Sequence, residues 1–471
     1  MILKTNQILI VILVVIFALF LLIQFKAFIK LLKDFLKAES NPINISIFRI
    51  ILYSTIIIVS LKQINNIIWL SQIPNELRIP PTGLELIVGF IPINRTIAST
   101  IFYSFIFFCS LSLLGLFTRF STIIVTLLGI YVFYVTNLFG KVYHFHHLLW
   151  FSSLLTVSRC SDTVSLDSLI KKRNKPLSQV SNEYELPLRI IWILIGIIYF
   201  FSGMWKLWDC GLSWALSDNV RNIMYYKWSR IGGYSPLFNL DKYPFLYKSA
   251  GLITLFFELS FIFFIFSKRF RFFPIFFGLF FHSMTYFMQK ISFWYLWICY
   301  SSFINWRKLF NNLNKNNSTS NYCTESPSRL NIKICLIGMF LILGSTIYGL
   351  FGIDSFPFTA YPKFNYIYDI KKISISVVTY DANGNKLNLD LSNLIEKFDS
   401  ARWDVLLQKI GEKKDKEQSK VLSYGLHKLI LMFYPESNIH FIRLYKVTLW
   451  TLPEKLKENP IDKELIYEFV K

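Results

Sequence analysis

The sequence predicts an all-α polytopic membrane bundle of about eight to ten transmembrane helices, followed by a small C-terminal α+β extracytoplasmic domain. Of the 471 residues, 54% are hydrophobic and only 17% are charged, whereas soluble domains usually carry ~25% charged residues. Residues 8–25 are apolar apart from Gln24, and a helix of that length crosses a ~30 Å hydrocarbon core. Ordinary polarity returns only after residue 352.

Apolar segments recur along the first 350 residues. They lie near 8–25, 45–62, 97–117, 121–139, 145–158, 188–206, 249–267, 272–288, 293–306 and 334–352. The fifth and ninth are short, so each could be tilted, re-entrant or buried behind neighbouring helices. The chain thus divides into an N-terminal transmembrane anchor with an amphipathic linker (1–40), a membrane domain (41–310), a flexible cytoplasmic loop (311–333), a last transmembrane helix (334–352) and the α+β domain (353–471).

The net charge of +21 follows the membrane topology. The basic residues cluster after every second apolar segment, at 26–37, 119, 159–175, 268–271 and 307–315. These loops share one side if every segment crosses, and the positive-inside rule makes that side cytoplasmic. We therefore expect a multi-pass protein of the cell (inner) membrane with its C-terminal domain outside the cytoplasm, and no nucleic-acid partner.

The loop 207–248 departs from this pattern. It is predicted to lie on the outer side, yet it carries five basic residues and the aromatic residues Trp208, Trp214, Tyr225, Tyr226 and Trp228. Such a composition favours an interfacial helix. Two interpretations remain open: anchoring in lipid headgroups, or a basic rim over a site for an anionic group.

Six cysteines are scattered along the chain without a CxxC pair. This spacing indicates neither a disulfide framework nor a zinc site. We expect no metal.

The C-terminal region shows strand and helix patterns. Alternating residues at 373–380 and 386–391 flank an Asn-Gly turn within 381–384, which is typical of a β-hairpin. Two amphipathic helices are predicted at 394–410 and 421–433, and further strands at 439–452 and 465–470.

Lys206 is a candidate base at the end of an otherwise uncharged apolar segment. On a helix, Tyr199, Gly203 and Lys206 share one face. A lysine kept from water has a lowered pKa and can accept a proton near neutral pH. The alternative is a lysine that snorkels to the membrane surface.

Three histidines, His144, His146 and His147, lie at the start of the fifth segment. His144 and His147 share a helical face at i, i+3. They could bind a metal, although no carboxylate or cysteine cluster accompanies them. They could also bond a polar ligand or the surroundings of Lys206, or lie at the interface without a role.

Other ionisable residues also fall within apolar segments, where each is expensive. His282 and Glu258 lie in mid-segment and could pair with each other or with Lys206, or form a structural clamp between helices. Arg49 lies near the cytoplasmic end of its segment, where its position favours a topology charge.

Five motifs occur in a recognisable order. Phe-Arg-Ile (48–50) is followed by KVYHFHHLL (141–149), VSLDSL (164–169), IYFFSGMWKLWD (198–209) and GLFFHSM (278–284). Over roughly residues 40–310 the chain resembles the horizontally transferred transmembrane (HTTM) domain, the membrane part of the vitamin K-dependent gamma-carboxylase family.

The resemblance implies roles for particular residues. Lys206 matches the family's catalytic base, which deprotonates vitamin K hydroquinone before carbon dioxide is added to a glutamate side chain. His144, with His147 as the alternative, and His282 match the family's histidines. Tyr199, Gly203, Glu258 and Arg49 are then candidates for binding the cofactor, which is vitamin K hydroquinone or another quinol by resemblance only.

The chain departs from the family in two places. About 120 residues follow the last apolar segment, where full carboxylases carry a large lumenal domain. The motif reads Met-Trp-Lys at 204–206, without the second lysine that the carboxylase has beside the base.

Two functions are open at this stage. One is a carboxylase-like lyase in which Lys206 acts on a quinol or similar lipid-soluble cofactor, with membrane lipids and an extracytoplasmic protein substrate as partners. The other is a non-enzymatic membrane protein that binds lipid or quinone, or acts as a scaffold. A transporter ranks last because the sequence shows no internal repeat or paired broken helices.

The topology can be tested by cysteine labelling of intact cells. A cysteine placed after Gly352 should react with a membrane-impermeant reagent, and one placed in the 311–328 loop should react only after permeabilisation. Equal labelling of both positions from outside would contradict the topology.

Overall fold

A computed structural model describes residues 5–84, 92–171, 179–234, 236–313, 323–324, 331–412 and 416–471. The fold is mostly helical. In chain order the helices are Thr5–Ile23 (α1), Phe25–Leu36 (α2), Pro42–Lys62 (α3), Ile64–Leu70 (α4), Arg95–Leu114 (α5), Thr118–Thr136 (α6), His146–Val157 (α7), Leu166–Ile170 (α8), Asn182–Cys210 (α9), Ser213–Leu216 (α10), Asn219–Arg230 (α11), Pro244–Phe264 (α12), Phe272–Gln289 (α13), Trp294–Trp297 (α14), Trp306–Leu313 (α15), Ile332–Leu350 (α16), Ser392–Phe398 (α17), Ser400–Gly411 (α18) and Lys416–Leu431 (α19). The strands are Gln179–Val180 (β1), Cys323–Thr324 (β2), Lys371–Tyr380 (β3), Lys386–Leu387 (β4), Phe441–Trp450 (β5) and Asp462–Val470 (β6).

Within these described residues, six helices are long and apolar enough to cross a membrane: α3, α5, α6, α9, α12 and α16. The polytopic helical fold is confirmed, and six of the ten predicted segments meet this measure among the described residues. The fifth predicted span is α7, whose 12 residues extend only about 18 Å. The ninth is not one helix, because α14 gives way to a 3-10 helix at Ile298–Phe303. Both segments are largely buried among neighbouring helices.

Contacts between loops define two ends of the bundle. At the first, here called the basic end, Arg49 at the start of α3 donates to the carbonyls of Cys160 and Val164 beyond α7. The backbone N–H of Trp306 donates to Asn44 at this same end. Several of the lysine- and arginine-rich loops therefore meet at the end where α3 begins.

The opposite end, here called the tail end, receives the C-terminal region. Asn6 of α1 donates to the carbonyls of Leu207 and Trp208 at the C-terminus of α9. His144, ahead of α7, contacts Asp354, just beyond α16. Which end faces the cytoplasm stays a prediction from the positive-inside rule.

The C-terminal region forms an antiparallel sheet in the order β4-β3-β5-β6, with α18 and α19 packed against it and α17 packed against α18 and α4. The predicted α+β character and hairpin are confirmed, although β4 is only two residues long. The single helix predicted at 394–410 is wrong: Asp399, with φ 78°, separates α17 from α18. Its side chain accepts a hydrogen bond from the N–H of Ala401 and so caps α18.

This sheet domain is docked on the membrane bundle. Trp69 of α4 packs edge-on against Phe398 and Phe433. Arg402, buried, donates to the carbonyl of Thr136 at 2.9 Å. The core of the domain is thus continuous with that of the bundle.

Before the sheet begins, residues 351–370 run across the tail end, and we call this segment the strap. The predicted α+β domain started at residue 353, but its first strand starts at Lys371. Most of the predicted flexible loop 311–333 lies outside the described residues, apart from α15, Cys323–Thr324 and residues 331–333. In the described part of this loop, β2 pairs in parallel with β1.

Candidate functional site

A cavity of about 380 Å³, here called the chamber, opens inside the tail end of the bundle. Its size lies within the range of small-molecule sites. Helices α9, α11, α12 and α13 and the strap supply its wall. The wall is mostly apolar, with Ile198, Ile223, Met224, Ile253, Phe257, Phe280, Phe281, Met284 and Leu296 among its residues. Polar side chains interrupt it at His144, His147, Tyr199, Ser202, Lys206, Glu258, His282, Tyr295, Tyr361 and Lys363.

Lys206 lies in the chamber as half of a buried ion pair. Its Nζ is 2.7 Å from both carboxylate oxygens of Glu258 and 2.9 Å from Ser202 Oγ. Lys206 is 3% exposed and Glu258 4%. The interpretation of Lys206 as a snorkelling lysine is therefore wrong, and of the partners weighed for Glu258 the structure selects Lys206.

Gly203 explains how the two helices come close enough for this pair. A Cβ added at Gly203 would lie 2.9 Å from the Cβ of Glu258, closer than side chains pack. Gly203 is not among the residues that line the chamber, so its expected part in binding a cofactor is not supported. Its lack of a side chain lets α9 and α12 approach each other.

His282 belongs to a second polar group on the chamber wall. The hydroxyl of Tyr199 lies 2.5 Å from His282 Nε2 and 2.5 Å from the hydroxyl of Tyr300. His282 Nδ1 is buried and has no hydrogen-bond partner among the described residues. His282 thus pairs with Tyr199 and offers one unsatisfied nitrogen, while neither Glu258 nor Lys206 bonds to it.

His144 reaches the chamber from the turn before α7. Its Nε2 lies 2.9 Å from Asp354 Oδ1, which also accepts a hydrogen bond from Thr359 Oγ1 at 2.6 Å. Burial, reinforced by the charge of Lys363, lowers the pKa of His144 to about 4. A neutral imidazole that donates from Nε2 has its Nδ1 lone pair available to accept a proton or a hydrogen bond.

His147 is held by the backbone. Its Nε2 donates to the carbonyl of Tyr295 at 3.1 Å, which places the proton on that nitrogen. The third histidine, His146, packs beside Phe356 and does not line the chamber.

Arg49 takes no part in the chamber. It is fully buried at the basic end, where its two carbonyl partners tie the start of α3 to the loop after α7. Arg49 is not among the residues that line the chamber, so its expected part in binding a cofactor gains no support there. A guanidinium with several donors suits this task, because it can satisfy two loop carbonyls at once.

No sequence pattern pointed to some of the residues that complete the site. Asp354, Tyr361 and Lys363 lie in the strap, about 150 residues from Lys206 in the chain and outside every motif. Burial, reinforced by the charge of Lys141, lowers the pKa of Lys363 to about 7.

Two tryptophans of the aromatic loop 207–248 also face inward. Trp214 and Trp228 are buried, and their indole N–H groups donate to the carbonyls of Phe364 and Met288. These two tryptophans pack inside the tail end of the bundle, so the interpretation of lipid anchoring does not apply to them.

Metal binding was one of the alternatives for the histidine motif. Across the described ranges, no three or more His, Cys, Asp or Glu side chains are grouped so that they could hold a metal ion.

Fold and site together define the class: a multi-pass membrane protein with a mostly apolar chamber that contains a buried lysine–glutamate pair. The model of the HTTM domain matches residues 37–306, more than half of the chain, so the chain belongs to the HTTM domain family. This agrees with the resemblance found over roughly residues 40–310. No curated protein and no solved structure is significantly similar to the chain.

The ion pair makes a prediction for stability. Lys206→Met should lower the free energy of unfolding by about 3–5 kcal/mol, because it leaves the Glu258 carboxylate buried without its partner. The double variant Lys206→Met/Glu258→Gln should recover most of that loss, since no charge stays unpaired. Thermal unfolding in detergent measures both. Equal stability of Lys206→Met and the parent protein would contradict the buried pair.

The pH dependence of stability tests the environment of His144. Its folded-state pKa of about 4 lies below the ~6.5 of an unfolded chain, so the unfolded state binds more protons between these values. The stabilisation is complete above about pH 6.5 and is lost as the pH falls towards 4. His144→Asn should flatten the melting profile in this window, whereas His440→Asn, in the C-terminal domain, should not. Identical profiles for parent and His144→Asn would contradict the burial of a neutral imidazole.

Proposed function

We propose that this protein is an intramembrane enzyme in which Lys206, supported by Glu258, takes a proton from a hydroxyl of a quinol-like, lipid-soluble ligand in the chamber. The observation that carries the proposal is the ion pair itself, which faces a small-molecule-sized cavity with a mostly apolar wall. A titratable pair in such a place is expensive, and groups of this kind concentrate at functional sites.

Glu258 gives Lys206 a route to its basic form. An ammonium 2.7 Å from a carboxylate has no lone pair to accept a proton. Transfer of one proton from Nζ to Oε along this hydrogen bond leaves a neutral amine and a neutral acid, and a low-dielectric site favours neutral forms. The amine can then accept the ligand's proton, and the pair as a whole has gained one proton.

The residues present fit a quinol. The phenyl and aliphatic side chains of the wall suit its ring and chain, and Lys206 with the neutral His144 offers acceptors for its hydroxyls. The unsatisfied Nδ1 of His282 is a further polar contact. A bound quinol would supply an acidic hydroxyl and a pair of electrons. Asp354 would hold His144 in the tautomer that accepts from the chamber.

The remainder of the proposal follows from the family. Resemblance to the vitamin K-dependent gamma-carboxylases suggests a carboxylase-like lyase reaction on an extracytoplasmic protein substrate. The distribution of basic loops suggests the cell (inner) membrane, with the C-terminal domain outside.

One observation favours a second candidate function. Lys206 and Glu258 already satisfy each other, and the strap already covers the chamber. The second candidate is a non-enzymatic protein that binds a lipid or quinone, because such binding requires no proton transfer from Lys206 or Glu258.

Turnover of vitamin K hydroquinone by the purified protein in air-saturated detergent solution, where dissolved oxygen is the oxidant, tests the proposal. The parent should consume it faster than the uncatalysed background. Glu258→Gln should still bind it, seen as ligand-dependent thermal stabilisation, but lose roughly 100-fold or more in rate, because the amide cannot take the proton of Lys206.

The matched control is the buried pair Glu185–Arg189, which lies on the same helix outside the chamber. Glu185→Gln/Arg189→Met should leave the rate near that of the parent, after allowance for stability. Unchanged turnover in Glu258→Gln and in Lys206→Met/Glu258→Gln would overturn the proposal that Lys206 is the base. Stabilisation by the hydroquinone without turnover in the parent would favour the second function.

A further inference from the structure

Three lysines from separate parts of the chain converge at the chamber. Lys141 precedes the histidine motif, Lys227 lies in the last turn of α11, and Lys363 belongs to the strap. Lys363 itself lines the chamber. Each of the three is only partly exposed.

The three charges act on one another. Lys363 interacts electrostatically with Lys141 and with Lys227, and Lys227 interacts with Lys141. Lys227 Nζ also lies 5.0 Å from the ring centroid of Phe364, the chamber residue next to Lys363. The three side chains therefore form one group, here called the lysine cluster.

The carboxylates nearby are already engaged. Asp354, the acid that acts on Lys363, bonds to His144 and Thr359. Asp404 pairs with Arg230, a further cation that faces Lys227. In the part of the chain that the structure describes, no Asp or Glu forms an ion pair with a member of the cluster.

Such a grouping is unfavourable when no anion is bound. Like charges repel most strongly where burial has removed water. Burial together with neighbouring cations accordingly lowers the pKa of Lys363 to about 7 and that of Lys227 to about 8. An oxyanion that accepts hydrogen bonds from all three ammonium groups would relieve the repulsion and satisfy their donors.

We propose that Lys141, Lys227 and Lys363 form a binding site for an oxyanion of the phosphate or carboxylate class at the edge of the chamber. Because the wall beside Lys363 is mostly apolar, the same geometry accepts a free oxyanion or the anionic headgroup of a lipid whose chains enter the chamber. This site involves neither Lys206 nor Glu258, and it can exist whether or not those residues act on a quinol.

Binding to the full-length protein in an uncharged detergent tests the site. One arm titrates inorganic phosphate, the second phosphatidic acid, and the third phosphatidylcholine, which has the same chains without a net charge. We expect phosphate or phosphatidic acid to bind, and affinity to fall as salt rises. Tighter binding of phosphatidic acid than of phosphate would identify the ligand as an anionic lipid. Tighter binding of phosphate would identify it as a free anion.

The variant Lys141→Gln/Lys227→Gln/Lys363→Gln should weaken this binding roughly tenfold or more, since charge-assisted hydrogen bonds are lost. It should fold, because it removes repulsion, and without added anion it should melt at or above the temperature of the parent.

The matched control Lys386→Gln/Lys420→Gln/Lys457→Gln removes the same charge from exposed positions of the C-terminal domain and should bind like the parent. Absence of binding by both anions, or equal weakening in the two triple variants, would overturn the site. Lys206→Met/Glu258→Gln separates the two proposals: anion binding that survives there supports the lysine cluster even if quinol turnover is never found.

Discussion

The ion pair between Lys206 and Glu258 is the constraint on which the remainder of the site depends. Two charges removed from water are tolerated only if each finds its partner at hydrogen-bond distance. That distance requires α9 and α12 to pack closely, and Gly203 permits the approach. Ser202 adds a further hydrogen bond to the same ammonium. Because the pair lies in the chamber wall, the two charges that are expensive to bury are also the groups that a ligand in the chamber would contact.

The chamber is completed by residues that lie outside the HTTM domain. The strap brings Asp354 to His144 and places Tyr361 and Lys363 in the wall. The adjoining sheet domain is itself held on the bundle by Arg402 and by aromatic contacts to Trp69. Family membership therefore defines the membrane scaffold, whereas the C-terminal region contributes to the polarity of the site and to its closure.

Positive charge serves different purposes at the two ends of the molecule. At the basic end it lies in loops between apolar segments, in the pattern that membrane topology produces, and Arg49 there satisfies backbone carbonyls. At the tail end three lysines meet without a carboxylate partner of their own among the described residues. The basic residues of this chain thus include topology signals, structural hydrogen-bond donors and three lysines that form a candidate site for an anion.

Hydrophobic length and periodicity determined the helical membrane fold and the α+β tail from the sequence alone, because those signals are local. The resemblance carried by five ordered motifs indicated the HTTM family and Lys206 as the residue of interest. Local signals left open whether the short fifth segment is tilted, re-entrant or buried, and they did not show that Asp399 would divide a predicted helix. They also could not tell a snorkelling lysine from a buried one, since the difference lies in Glu258, 52 residues away. Only the tertiary structure removed Arg49 and Gly203 from the chamber and brought Lys363 into it, because contacts across the bundle leave no periodic trace in the chain.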